Sequence, residues 1–237
     1  MRRLTLRAAL PAALIAASSF GASPLAAEPL AWNFSAEQFE YRFGEDEDLL
    51  AWSADLTAGY DDLKLLIRSE AEYGIDDRAF EKLETQARLA TPISDFWDAT
   101  AGVMVSTPEG PDRVYGVVGF HGLAPQWLEV DADAYLSDKP FLRAEIDYEG
   151  LITNRVILTP SIEATLPLAD DAGIDRGGFA PILEVGARLS YDLVDRLVSP
   201  YVGVHYERAF GETADRRRAS GGARDAVFFV AGTKILF

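Results

Sequence analysis

The sequence predicts an all-β fold: a single antiparallel transmembrane β-barrel of about 12 strands, within a range of roughly 10 to 14. Three observations carry this prediction. Apolar and polar residues alternate with a period of two through most of the chain. The connections between the alternating segments are by turns short and long. After residue 27 no stretch approaches the ~18–20 apolar residues of a membrane helix, which leaves a closed barrel as the way to satisfy backbone hydrogen bonds in lipid.

The last thirteen residues, DAVFFVAGTKILF, show the alternation clearly. Val227, Phe229 and Ile235 point to one face of a strand, and Gly232 and Lys234 point to the other. The aromatic last residue resembles the C-terminal signature of outer-membrane proteins that is read during membrane insertion. We therefore expect the terminal strand to close the barrel against the first strand.

The same pattern predicts strands at about 37–43, 49–59, 62–73, 80–91, 96–107, 112–124, 127–137, 140–151, 155–167, 178–191, 197–209 and 225–237. Connections such as YDD, PISD, APQ and TNR are short, whereas ADDAGIDRGG and GETADRRRASGGAR are long. Short turns on one rim and longer loops on the other are typical of bacterial outer-membrane barrels, in which the short turns face the periplasm and the longer loops are extracellular.

The N-terminal stretch has the order of a secretory signal peptide, with three arginines, a short apolar run and small residues up to Ala27. We expect residues 1–27 to be removed, residues 28–36 to form a short periplasmic segment and residues 37–237 to form the barrel. The expected location is the bacterial cell outer membrane, in contact with its lipid and lipopolysaccharide.

The chain is acidic, with 38 Asp and Glu against 22 Lys and Arg and a formal net charge of −16. Removal of residues 1–27 takes away three arginines and no acidic residue, which leaves about −19. This balance disfavours nucleic-acid binding, which needs clustered basic residues, and favours the attraction of cations. The chain has no cysteine, which excludes disulfides and thiolate metal sites.

The polar face of the strands is expected to line the barrel lumen, where acids outnumber bases by about two to one. By parity the lumen receives Asp55, Lys64, Arg68, Glu70, Glu72, Glu84, Arg88, Asp98, Met104, His121, Glu129, Asp131, Asp133, Arg143, Glu145, Asp147, Glu163, Glu184, Arg188, His205, Glu207 and Lys234. Two interpretations stay open: the charges pair with one another and fill the interior, or they form an acidic path that attracts cations.

A cation site in this lumen would draw on Met104, His121, His205, Glu207 and neighbouring carboxylates. Imidazole and carboxylate suit copper(II). His205 and Glu207 are the stronger pair, because positions i and i+2 share a strand face. The two histidines lie 84 positions apart and form no ligand spacing of the HxH or HxxxH kind.

Catalysis is not expected. An outer-membrane lipid hydrolase would need a serine with a histidine base, and the sequence contains no GxSxG motif. In GFHGLAP, His121 has no serine nearby. The chain is therefore predicted not to be an enzyme.

A series of motifs resembles the copper resistance protein B family: GYDDLKLLIRSEAE, FWDATAGV, GLAPQWLEVDADAYL, LITNRVILTPSIE, LEVGARLSYDL and PYVGVHYERAFGETADRRRASG. The resemblance covers roughly residues 45–237. It implies an outer-membrane barrel of copper resistance that binds copper ions or assists their sequestration or export. It also implies a periplasmic multicopper oxidase of the same system as a possible partner.

The sequence departs from the family in its copper donors. Members often carry a long N-terminal region rich in Met and His, whereas here about ten residues, EPLAWNFSAE, are expected between the cleavage site and the first strand, with neither residue type. Because copper(I) prefers soft sulfur ligands, a dedicated copper(I) store is not expected and any binding should favour copper(II). The alternative is a structural or pore-type barrel without metal. In the last long loop, Arg216, Arg217, Arg218 and Arg224 are candidate contacts to lipopolysaccharide phosphates, or simply a solvated loop.

Overall fold

The computed structural model describes residues 30–45, 47–107, 110–194 and 196–237, and shows an all-β barrel. The strands are β1 (Ala31–Phe43), β2 (Asp48–Gly59), β3 (Lys64–Gly74), β4 (Ala79–Ser94), β5 (Trp97–Ser106), β6 (Arg113–Ala124), β7 (Leu128–Leu136), β8 (Phe141–Tyr148), β9 (Gly150–Leu151), β10 (Val156–Pro167), β11 (Ile182–Tyr191), β12 (Val198–Ala209) and β13 (Asp225–Leu236). The two-residue β9 continues the edge that β8 presents to β10. The barrel therefore has twelve long strands, as the alternation predicts.

The barrel closes through its first and last strands. Every long strand pairs antiparallel with its neighbour along the chain, and β13 pairs back onto β1 with Phe43 opposite Phe229. At the other end Phe34 and Phe237 exchange backbone N–H···O bonds of 2.9 and 2.8 Å. The prediction that the terminal strand closes the barrel is confirmed, with one irregularity in the register between Ala36 and Glu40.

Two strands begin elsewhere than the sequence predicts. β1 begins at Ala31 rather than residue 37, because residues 31–36 pair with the end of β2 and the chain terminus. β11 begins at Ile182 rather than residue 178, since Phe179 has a φ of 56°, which an extended strand does not allow. The predicted signal peptide, residues 1–27, lies outside the described residues.

The two faces of each strand meet different surroundings. On β13 the side chain of Phe229 is 67% exposed on the outer surface, whereas its neighbour Phe228 is 4% exposed inside the barrel. Val202 and Val204 on β12 continue the apolar outer face. An apolar surface of this extent requires lipid rather than water, which fits a transmembrane barrel.

The two rims differ mainly through the last two loops. Residues 168–181 and 210–224 are long, and the latter carries the helix α1 (Gly211–Ser220), where the sequence predicts only a loop. Thr213 on α1 accepts a 3.0 Å hydrogen bond from the Gly177 N–H and donates one of 2.8 Å to the Ala180 carbonyl, so the two loops are joined. Among the described residues, no helix has the length and apolar composition that crossing a membrane requires.

Candidate functional site: the barrel lumen

Within the part of the chain that the structure describes, three cavities lie in series along the lumen. The extracellular cavity, of about 600 Å³, lies under the two long loops. The periplasmic cavity, of about 320 Å³, opens at the rim of the short turns. A neck of about 60 Å³ lies between them. Glu163 and Glu184 line both the neck and the extracellular cavity, whereas Glu70 and Glu145 line both the neck and the periplasmic cavity. The three spaces therefore adjoin, and the neck has room for only a few water molecules.

Buried ion pairs form one wall of the neck. Glu40, 1% exposed, accepts two 2.8 Å hydrogen bonds from Arg188 and one of 2.9 Å from Arg42. The Tyr201 hydroxyl donates a further bond of 2.9 Å to Glu40, and Arg42 also contacts Glu72 at 2.7 Å. This satisfied network holds the side chains in place, which a buried charge requires.

A second network crosses the lumen from β8. Arg143 contacts Glu84 at 3.0 Å, Glu70 at 3.2 Å and Glu163 at 3.2 Å. Lys82 lies 3.5 Å from Glu70. These contacts join strands on opposite sides of the barrel, so part of the predicted pairing of lumen charges is present. Glu70, Lys82 and Glu163 of this network line the neck.

His205 lies at the neck, and its main neighbour is a carboxylate of the adjacent strand. The side chain is 5% exposed, and its Nε2 atom is 3.4 Å from Glu184 Oε2. Nε2 has no hydrogen-bond partner within the described residues. β11 and β12 pair with Gly186 opposite His205 and Glu184 opposite Glu207, which brings the acid beside the ring. The Nε2 atom therefore lies at the neck with the Glu184 carboxylate as its neighbour.

His121 lies in the periplasmic cavity, where two carboxylates of β7 flank it. Its Nδ1 atom is 3.0 Å from Asp131, and its Nε2 atom is 3.8 Å from Glu129. Asp131 also approaches Arg68 at 3.4 Å. The site therefore offers an imidazole and a carboxylate in the periplasmic cavity, and Asp131 is shared with Arg68.

The other two candidate ligands have different partners. Glu207 contacts Arg217 of α1 and lines the extracellular cavity. Met104 is fully buried in a cluster with Tyr115, Val117, Tyr135 and Phe141. His205 and Glu207 share a strand face as predicted, but the structure places His121 in another cavity and Met104 among aromatic rings.

No three His, Cys, Asp or Glu side chains form a group suited to a metal ion anywhere in the described parts of the chain. What the lumen offers is a series of imidazole and carboxylate donors, singly and in pairs. The sequence pattern placed Glu184 in the lumen but did not distinguish it from the other acids. Only the strand register shows that it is the partner of His205.

The comparisons with known proteins agree over nearly the whole barrel. The family model described as "Copper resistance protein B precursor (CopB)" matches residues 30–237. Copper resistance protein B of Escherichia coli is 31% identical over 203 residues, which is 85% of this chain and 68% of that protein. The copper resistance protein B homolog of Pseudomonas syringae pv. tomato is 32% identical over 206 residues, 86% of this chain and 69% of that protein.

Solved structures show a likeness of fold. The NanC porin aligns with a TM-score of 0.52 at 13% identity, over 86% of this chain and 99% of the porin. The KdgM porin aligns over the same shares, also at 13% identity, with a TM-score of 0.48. At this identity the NanC likeness supports the outer-membrane barrel fold alone.

Proposed function

The chain belongs to the copper resistance protein B family, and on that premise we propose that it acts in copper resistance by holding copper ions, as cargo, in the lumen of its outer-membrane barrel. The main support for this proposal is the position of His205. Its buried Nε2 atom has no hydrogen-bond partner among the described residues and lies 3.4 Å from Glu184 at the neck. An imidazole beside a carboxylate is a donor pair that suits copper(II).

The donor set fits copper(II) better than copper(I). The chain has no cysteine, and its two methionines are Met1 and Met104. Met104 is enclosed by aromatic residues, so its thioether would have to leave that cluster to bind a metal. With paired donors rather than a closed cage, we expect weak binding in which several lumen positions exchange their ion. His121 with Asp131 is the second position, at the periplasmic mouth.

The remaining features follow from this proposal. Residues 1–27 would direct export, and the short-turn rim would face the periplasm, where a multicopper oxidase of the same resistance system is the proposed partner. The apolar outer face would contact outer-membrane lipid. On the outer rim, Arg216 and Arg218 of α1 lie beside Glu212 and Asp215, so contact with lipopolysaccharide phosphates would have to compete with these acids.

Copper(II) titration of the refolded barrel tests the proposal. Calorimetry and electron paramagnetic resonance should show binding with nitrogen coupling in the wild type. His205→Ala should weaken it and the double change His121→Ala, His205→Ala should abolish the nitrogen signal. Val204→Ala, on the outer face next to His205, is the matched control and should bind like wild type. Binding should also weaken as the pH falls, because protons compete with copper for imidazole and carboxylate.

Two results would contradict the copper site. If the double variant keeps the affinity and the nitrogen signal of the wild type, the histidines are structural. If no form of the barrel binds copper, the chain has the family fold without the metal, and the alternative of a structural or pore-type barrel replaces the proposal.

A further inference from the structure

Five carboxylates occupy one continuous row of the sheet. Adjacent strands pair in register so that each acid lies directly opposite the next. The row consists of Asp131 on β7, Glu145 on β8, Glu163 on β10, Glu184 on β11 and Glu207 on β12. Directly opposite residues have Cβ atoms about 4.5–5.5 Å apart. Successive carboxylates are therefore close enough for a cation to contact one before it leaves the other.

The row passes through all three cavities, because strands in a barrel tilt and a register row climbs along the axis. Asp131 lines the periplasmic cavity, and Glu145 lines that cavity and the neck. Glu163 and Glu184 line the neck and the extracellular cavity. Glu207 lines the extracellular cavity. The five acids therefore connect one mouth of the barrel to the other.

The protein neutralises the row only in part. Like charges directly opposite each other destabilise a sheet, so each acid needs a counter-charge. Asp131 approaches Arg68, Glu163 approaches Arg143, and Glu207 approaches Arg217. The ion-pair partner of Glu184 among the described residues is the His205 ring. Glu145, in the middle, has no hydrogen bond or ion pair within the described residues.

Two further buried groups face the same path without a partner. Thr100 is 6% exposed, lines the periplasmic cavity, and its Oγ1 atom has no hydrogen-bond partner in the described residues. At the neck, His205 Nε2 also has no hydrogen-bond partner among the described residues. A buried polar atom without a partner costs free energy unless water or a ligand completes it. Thr100 is not a member of the acidic row, so its unpartnered hydroxyl is a separate indication that the cavity beside the row has a place for a water molecule or an ion.

We propose that this row is a conduction path for divalent cations. Glu145, which has no ion-pair partner among the described residues, is the carboxylate available to the passing ion at the neck. A cation entering either cavity meets a carboxylate at each step, and in the neck it exchanges part of its water shell for Glu145, Glu163 and Glu184. Attraction at every step without a closed cage allows the ion to leave as well as enter. This activity goes beyond copper holding, since it does not require imidazole or copper.

Ion selectivity in planar phosphatidylcholine bilayers tests the path. In a CaCl₂ gradient, the reversal potential of the wild type should show preference for Ca²⁺ over Cl⁻. Glu145→Gln should lower the Ca²⁺/Cl⁻ permeability ratio about thirtyfold, the factor that one unit charge ~4 Å from a divalent ion contributes even at a water-like dielectric constant. Glu145 has no cation partner among the described residues, so this variant should assemble normally, which heat-modifiable migration checks.

Asp98→Asn is the matched control. Asp98 also lines the periplasmic cavity, but it lies two strands beyond Asp131, the last carboxylate of the row, and pairs with Lys64 at 3.1 Å. Asp98→Asn removes one negative charge, as Glu145→Gln does, but it should lower the Ca²⁺/Cl⁻ permeability ratio clearly less. Equal effects of the two variants would show that total lumen charge rather than the row sets selectivity. A wild type that carries no current, or prefers anions, would overturn the proposal. Calcium conduction without copper binding would support it and contradict the copper site.

Discussion

Arg188 and Glu40 form a two-point ion pair inside the barrel although they are 148 positions apart in the chain. Both of their bonds are 2.8 Å long, and Glu40 also receives bonds from Arg42 and Tyr201. The pair joins β1 to β11 across the lumen, which neighbouring-strand hydrogen bonds do not do. It therefore acts as a cross-brace of the barrel wall.

Removing the shared acid of this brace should be strongly destabilising. Glu40→Ala leaves the buried Arg188 guanidinium without its counter-charge and Arg42 with Glu72 alone, and we expect a loss of about 3–5 kcal/mol in the free energy of unfolding. Urea unfolding in lipid vesicles, followed by tryptophan fluorescence, measures this loss. Glu149→Ala, which removes an acid that pairs with Arg196 and Lys234 at the rim, should cost less than ~1 kcal/mol. Similar losses in both variants would contradict the brace.

The outer face should reject charge. Val185→Arg and Ala132→Arg place a cation toward lipid near mid-strand, and each should cost about 2–4 kcal/mol and impair assembly. Thr57→Arg is the lumen control, because Thr57 lines the acidic periplasmic cavity. Gly186, the lumen-facing neighbour of Val185, is unsuitable as the control, because an added Cβ there would lie 2.5 Å from the Ser161 hydroxyl. Equal assembly defects on both faces would contradict the assignment of inside and outside.

The contact between the two long loops should depend on one hydroxyl group. Thr213→Ala removes the bonds to Gly177 and Ala180, and should cost about 1–3 kcal/mol of local stability. Hydrogen exchange of residues 168–181 and 210–224 should speed up while the strands stay protected. Ser220→Ala at the exposed end of α1 is the control, and exchange unchanged by Thr213→Ala would show that the loops are held by other contacts.

The extracellular loop before β11 should loosen at acid pH. Burial by itself would raise the pKa of Asp171, but the Arg113 hydrogen bonds of 2.8 and 3.0 Å and the Arg113 charge outweigh it and hold the pKa below its usual range. A carboxyl group with a depressed folded-state pKa stabilises the fold above its unfolded pKa, near 4, and loses this contribution as the pH falls further. Proteolysis of the loop by pepsin should therefore accelerate below about pH 4.

Asp171→Asn gives the comparison for this pH effect. The amide cannot carry the charge that pairs with Arg113, so the loop of the variant should already be more open at neutral pH and should respond less to acid. A variant with the same pH response as the wild type would assign the acid sensitivity to another group.

The sequence by itself determined the class of fold, the faces of the strands and the family. Alternation with period two specifies which side chain meets lipid, because neighbouring residues of a strand must point to opposite sides. For the same reason the lumen positions of His121, His205, Glu207 and Met104 followed from parity. Strand ends were accurate wherever turn residues bound them, and failed at residues 31–36 and 178–181, where pairing with distant strands and a positive φ decide the boundary.

The tertiary structure alone decided which lumen residues meet. Parity gives the side on which a residue lies but not its height relative to residues of other strands, which depends on the register of each strand pair. Register placed Glu184 beside His205, aligned five acids in one row and separated His121 from His205. Long side chains such as Arg188 then reached across the lumen to acids on other walls, and the free energy of pairing buried charges determined which acids stayed unpaired.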